Sequence, residues 1–235
     1  MEIKKFEVKH DTQWAYEFTH APTLDMFQEI EHFLKYCEDR NLFVPEHKAN
    51  WSLRDGAQTP RTINVLKQFE SLSELREKLE NEVFPHILEQ SKIGCTKSED
   101  DNDDPEKFAK GYKDFSGYYF NIVESWFDII LPGAYEPFSY DPCDFTGYYW
   151  IACTEEQPAI ILKDPSVGKR YLNTLYNTLT VTPFLSIDPF ESGVLILPGH
   201  YERMMHVQRD DRPGVVLRFN FNLERSDEQN SESTS

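Results

Sequence analysis

Three short stretches hold the side chains able to do chemistry. Ser139-Tyr140-Asp141-Pro142 sets a hydroxyl and a carboxylate two residues apart, so on a strand both leave the same face. His200-Tyr201-Glu202-Arg203-Met204-Met205-His206 gathers two imidazoles, a carboxylate and a guanidinium within seven residues. Arg218-Phe219-Asn220-Phe221-Asn222 alternates polar and aromatic, which puts Arg218, Asn220 and Asn222 on one face of a strand. Arg212 shares that parity, but Pro213 and Gly214 follow it. A carboxylate or an imidazole can ligate a metal. A neutral hydroxyl is a poor ligand beside imidazole, and a guanidinium, never deprotonated, is none at all. What a guanidinium does well is grip a carboxylate with two parallel hydrogen bonds.

The composition bounds what those groups can serve. At 235 residues the chain can bury one sizeable core, and its 17 Phe and 12 Tyr favour a packed, strand-rich interior. A formal net charge of −17 argues against nucleic acid or an anionic membrane as partner. The four cysteines, at 37, 95, 143 and 153, show no CxxC spacing, which leaves neither a zinc knuckle nor a redox motif. Scattered thiols fit a reducing compartment. The N-terminus has no apolar signal core, and no stretch approaches the roughly 18 apolar residues a membrane span needs. The expectation is a soluble protein of the cytoplasm, in a cell or in a virus-infected cell.

The elements that must position the chemistry read as follows. Residues 1–95 form a helical, mixed buttress: Leu24, Phe27, Ile30, Phe33 and Leu34 predict a helix over 23–38. Ser71-Leu72-Ser73-Glu74 reads as a capping box opening a second helix, with Leu75, Leu79 and Val83 as its buried stripe and Pro85 bending or ending it. Residues 96–107 are a solvated acidic loop; Asp100 to Asp104 lack the Gly and the terminal Glu of a calcium loop. A β-rich core over 108–224 follows, and 225–235 is a polar tail expected to be disordered. Within the core Tyr118, Phe120 and Ile122 alternate, and Trp126, Asp128 and Ile130 alternate against Phe127, Ile129 and Leu131. Short runs at 159–162, 194–197 and 215–217, broken by Pro and Gly, predict a sandwich or jelly roll.

A further set of words runs through that core: Ser125-Trp126, Gly133-Ala134-Tyr135, Thr146-Gly147-Tyr148-Tyr149-Trp150, Lys163-Asp164-Pro165, Gly193-Val194-Leu195-Ile196-Leu197-Pro198 and Phe219-Asn220-Phe221-Asn222. In order and spacing these resemble a branch of the 2-oxoglutarate/Fe(II) dioxygenases common in bacteria and their phages, over roughly residues 117–223. The resemblance implies an α+β protein with a double-stranded β-helix (jelly roll) and the N-terminal helices packed on its larger sheet. It implies Fe(II) and 2-oxoglutarate as cofactors and a hydroxylase-type reaction on a small-molecule or protein substrate.

This chain departs from that pattern where the iron ligands belong. Aligned on Gly133, Tyr135 and Pro142, the first two ligand positions are Ser139 and Asp141; counting on from Pro198, the third falls at Arg203. Asp141 can ligate iron, Ser139 hardly can, and Arg203 cannot. His200 and His206 flank Arg203 and would serve only through a local loop difference; the plainer reading of each is a surface or hydrogen-bonded histidine. Arg218 is the candidate for the cosubstrate carboxylate, or else an ordinary ion-paired arginine, and Tyr135 and Tyr149 could line the cavity. Two readings stand. One is a dioxygenase whose metal site is degenerate; the other is a non-catalytic binding or structural protein, a pseudoenzyme, on the same fold. The register predicts an Asp141–Arg203 ion pair at the former metal position, with Ser139 adding a hydroxyl bond to Asp141.

Overall fold

Thr23 opens the first helix as the sequence leads one to expect. Its hydroxyl accepts from the Met26 N–H at 3.1 Å, and helix α1 runs Leu24–Asp39. The computed structural model describes residues 4–7, 14–44, 53–91, 118–153, 156–163 and 184–225, and the acidic loop at 96–107 lies outside them. The capping box at Ser71 does not form. The Ser71 N–H instead donates to Glu29 Oε2 of α1 at 3.1 Å, because the chain enters through a 3-10 turn, Glu70–Leu72. Helices α2 (Val65–Gln68), α3 (Ser73–Lys78) and α4 (Phe84–Ser91) follow, with a π turn, Leu79–Val83, joining the last two. Leu75, Leu79 and Val83 are fully buried. Pro85 neither ends nor opens a helix, because the wider turn before it accommodates its missing N–H and its ring.

Eleven strands are described: β1 (Lys4–Glu7), β2 (Trp14–Thr19), β3 (Ala57–Gln58), β4 (Tyr118–Ile130), β5 (Glu136–Ser139), β6 (Phe145–Ala152), β7 (Ile160–Lys163), β8 (Phe184–Ile187), β9 (Gly193–Pro198), β10 (Arg203–Met205) and β11 (Gly214–Arg225). They form an antiparallel seven-stranded sheet, β1-β2-β9-β6-β11-β4-β3, and a four-stranded one, β5-β10-β7-β8. Three short strands from the N-terminal part thus belong to the larger sheet, where the sequence suggests helices with short extended pieces. At the other end β11 continues to Arg225, the first residue assigned to the tail.

The two faces of the larger sheet differ. Its helix-facing side shares one apolar cluster with α1 to α4, built from Phe120, Ile122, Phe127, Tyr149, Phe219 and Phe221 against Met26, Leu75, Val83 and Phe84. Its other side shares a second cluster with the smaller sheet, in which Tyr148, Trp150, Leu195 and Val216 meet Ile160, Leu162 and Met205. In β4 the buried parity changes between Ile122 and Phe127. The cause is a bulge: Asn220 pairs with Glu124 and Phe221 with Ile122, which leaves Val123 unopposed. One extra residue exchanges the faces, turning Trp126 and Asp128 away from the helices.

Gly147 lies under the Phe219 ring, where an added Cβ would come within 2.1 Å of it. Phe219 is fully buried and has nowhere to retreat. Gly147→Ala is expected to destabilise the protein by about 1–3 kcal/mol. Equilibrium denaturant unfolding measures it, with an unchanged midpoint as the contrary result.

Candidate functional site

Asp141, Arg203 and Arg218 come from a turn and two strands in different sheets and meet between those sheets. Asp141 follows β5; its N–H donates to the Gly199 carbonyl at 3.0 Å, which ties the turn to the end of β9. Close approach there needs glycine, since a Cβ at Gly199 would sit 2.2 Å from the Cys143 carbonyl. Arg203 in β10 stands opposite both Ser139 and Leu162. Arg218 in β11 stands opposite Trp126 and Tyr148.

Both guanidiniums converge on one carboxylate oxygen. Arg203 Nη2 donates to Asp141 Oδ2, and Arg218 Nη2 donates to the same atom at 3.0 Å. Arg218 Nη1 lies 3.4 Å from Asp128 Oδ2 and 3.3 Å from Glu136 Oε1. Arg203 Nε donates to the Tyr148 hydroxyl. The Arg218 guanidinium also sits over two rings, 4.7 Å from the centre of Tyr148 and 5.2 Å from that of Trp126. Both arginines are 1% exposed, and Asp128, Glu136 and Asp141 no more than 6%. Burial alone would raise the Asp141 pKa, but Arg218, then Arg203 and Arg61, outweigh it and hold the carboxyl at about 2. Burial, aided by the Asp141 charge, pushes the Cys143 thiol up to about 12, which leaves it a poor nucleophile.

The sequence expectations fare differently in this geometry. The Asp141–Arg203 pair forms, but Ser139 turns elsewhere: its hydroxyl donates to Glu136 Oε1 at 2.8 Å. An irregularity is the reason: three residue steps of β5, Glu136 to Ser139, span only two of β10, Met205 to Arg203, and the shift brings both side chains to one side. His200 and His206 are exposed, and the His200 ring rests edge-on against Tyr201. Neither is brought to Asp141. Tyr149 points to the helix side, donating its hydroxyl to the His20 carbonyl at 2.9 Å; its neighbour Tyr148 takes the inward position. Tyr135 is 38% exposed and its backbone bridges to Arg54, so it does not line the cluster. Arg218 does lie on the inward polar face, with Nη1 and Nη2 on acids of the chain itself.

Three participants escaped sequence reading: Asp128, Glu136 and Tyr148. Asp128 carried a signal, an acid at an inward position between Trp126 and Ile130. Glu136 had none, since a four-residue strand gives too little periodicity to read.

The residues present do not fit an iron centre. Of the three expected ligand positions one holds a carboxylate with two cations already on its Oδ2, one a hydroxyl committed to Glu136, and one a guanidinium. Among the described residues, no group of three or more His, Cys, Asp and Glu side chains could hold a metal ion. No described helix is long and apolar enough to cross a membrane.

No protein-family model and no curated protein matches the chain. Solved structures do, and they are 2-oxoglutarate/Fe(II) oxygenases. The α-ketoglutarate-dependent epimerase SnoN from nogalamycin biosynthesis aligns with a TM-score of 0.51 at 7% identity, over 90% of this chain and 79% of that one. A Pseudomonas putida prolyl-4-hydroxylase aligns at 0.49 and 9% identity, over 88% and 92%. HygX from Streptomyces hygroscopicus, solved with nickel and 2-oxoglutarate, aligns at 0.49 and 8% identity, over 90% and 83%. The likeness to SnoN is one of fold alone.

Two outcomes follow from the ion pairs. Arg203→Ala leaves Asp141 with Arg218 as its remaining cation, so a loss of about 3 kcal/mol is expected, the low end for breaking a buried pair. A double-mutant cycle with Asp141→Asn reads the coupling directly. The folded pKa of Asp141, about 2, lies below its ordinary 3.8. Its contribution is therefore complete above about pH 5 and lost as pH falls toward 2. Acid unfolding of Asp141→Asn is expected to lack that component.

Proposed function

We propose that this chain is a non-catalytic protein on the jelly-roll, double-stranded β-helix fold of the 2-oxoglutarate/Fe(II) oxygenases, with internal ion pairs where those enzymes hold their metal. The observation that carries this reading is the double clasp of Asp141 by Arg203 and Arg218. A divalent cation entering there would meet two fixed positive charges and a carboxylate with no charge to spare. The same argument covers the cosubstrate. Arg218, which the family resemblance would assign to the carboxylate of 2-oxoglutarate, is neutralised by Asp128, Glu136 and Asp141. Fold persists while sites change, so the architecture does not bring the activity with it. In this reading the protein works through its surface on a small-molecule or protein partner in the cytoplasm, and its acidity disfavours nucleic acid.

The competing reading, a 2-oxoglutarate-dependent hydroxylase, is separated by direct measurement. Anaerobically prepared protein is expected to show no saturable Fe(II) binding and no conversion of 2-oxoglutarate to succinate above background. Turnover at any steady rate would remove the non-catalytic reading. Replacing Ser139 and Arg203 together by histidine supplies the two imidazoles that the family pattern has there. Isothermal titration with Mn(II) is expected to reveal a new site in that double variant, absent from the parent. A double variant that folds yet gains no affinity would show that these positions are not the family's ligand positions.

A further inference from the structure

Asn220 and Thr146 stand opposite each other across β11 and β6. They lie two residues along from Arg218 and Tyr148, so strand parity turns both side chains into the gap between the sheets. Asn220 is 1% exposed and Thr146 is fully buried. Yet among the described residues neither Asn220 Oδ1 nor Thr146 Oγ1 has a hydrogen-bond partner. Leaving one buried polar atom unmet is costly, and two in register point to a group that meets them. Glu124 fixes which way the amide turns. A carboxylate only accepts, so Asn220 Nδ2, which donates to Glu124 Oε1 at 2.7 Å, has to face it, and Oδ1 faces away. The Thr146 hydroxyl lies near enough to Asp141 to help hold that carboxyl ionised, but without the geometry of a hydrogen bond.

A donor stands beside these two oxygens. Arg61 Nη1 reaches the same Glu124 oxygen at 3.4 Å, which sets its guanidinium next to the Asn220 amide. Arg61 also sits over the Trp126 ring, 3.9 Å from its centre, and reaches Gln58 Oε1 at 3.4 Å. Both polar contacts are longer than a good N–H···O bond, so an incoming carbonyl competes for the same N–H groups. The Arg61 and Glu124 side chains are partly exposed, which opens this end of the gap to solvent.

The charges select the ligand. A cation there would face Arg61 in front and Arg203 and Arg218 behind Asp141. A carboxylate would set its lone pairs against Asn220 Oδ1, which cannot donate. What fits is a neutral group with N–H donors and a carbonyl on one carbon. We infer that Asn220, Thr146 and Arg61 form a binding site for a primary carboxamide, whose NH2 donates to Asn220 Oδ1 and Thr146 Oγ1 and whose carbonyl accepts from Arg61. Such a site would give the non-catalytic protein its small-molecule partner, and to that extent it rests on that reading.

Acetamide titrated into the intact protein without added metal tests the site, with the side-chain N–H signals of Asn220 and Arg61 followed by NMR. Saturable shifts are expected with acetamide, and none with acetate or N,N-dimethylacetamide, which lack the NH2 group. Thr146→Val is expected to weaken acetamide about tenfold, the equivalent of one hydrogen bond. The same variant should leave the melting temperature of the free protein unchanged or higher, because it removes an unmet hydroxyl. Arg61→Lys keeps the charge but loses the planar fork, and should weaken acetamide to a similar degree. No saturation with acetamide means an ordered water only at these oxygens, and overturns the site. So does dimethylacetamide binding as tightly as acetamide, or Thr146→Val lowering the melting temperature with acetamide affinity unchanged. Should Thr146→Val fail to fold, Arg61→Lys and the dimethylacetamide control decide. A failed titration removes the site and leaves the non-catalytic reading standing, since turnover of 2-oxoglutarate alone decides that.

Discussion

The charged groups between the two sheets are arranged around one oxygen, Asp141 Oδ2, and the two guanidiniums that reach it. The carboxylate comes from the turn after β5 and the cations from β10 and β11, so the contact joins the smaller sheet to the larger. Once Arg203 and Arg218 are inside, their remaining donors need acceptors, since a buried charged group short of partners is expensive. Tyr148 and Tyr201 serve Arg203; Asp128 and Glu136 serve Arg218. Each acid so recruited then takes donors of its own, from Ser139, Gln58 and Trp126. The polar interior is the chain of obligations that follows from putting the first pair out of water.

Such a cluster need not add net stability over an apolar core of the same volume, because desolvating five charged side chains consumes much of the Coulomb gain. What it supplies is direction. Apolar contacts between Leu162, Met205, Leu195 and Val216 tolerate small slides, whereas an arginine fork bonded to named oxygens does not. The opposite face of the larger sheet needs no such device. There the phenyl rings of Phe84, Phe120, Phe145 and Phe221 interlock, with centroids 4.4–5.6 Å apart.

A guanidinium serves a buried carboxylate in two ways at once. It supplies positive charge, and its planar fork fixes the direction from which that charge arrives. Arg203 and Arg218 do both for Asp141, one from each sheet.

Much of this was legible from the residues alone. Strand parity put Arg218 and Asn220 on the polar face, and the order of short motifs placed Asp141 and Arg203 at corresponding positions, because period-two alternation and fixed turn words are local properties. The buried helix stripe at Leu75, Leu79 and Val83 was legible for the same reason. Tertiary structure decided the rest. Ser71 failed as a cap because Glu29, distant in sequence, took its amide. Tyr148 and Tyr149 could not be told apart locally; pairing of β6 with β9 and β11 determines which of them faces the charges. The bulge at Val123, one unopposed residue, turns Asp128 inward. The sequence alone determined which charges had to be reconciled. How they were reconciled depended on contacts between residues up to 90 positions apart, such as Arg218 with Asp128, and these no local pattern encodes.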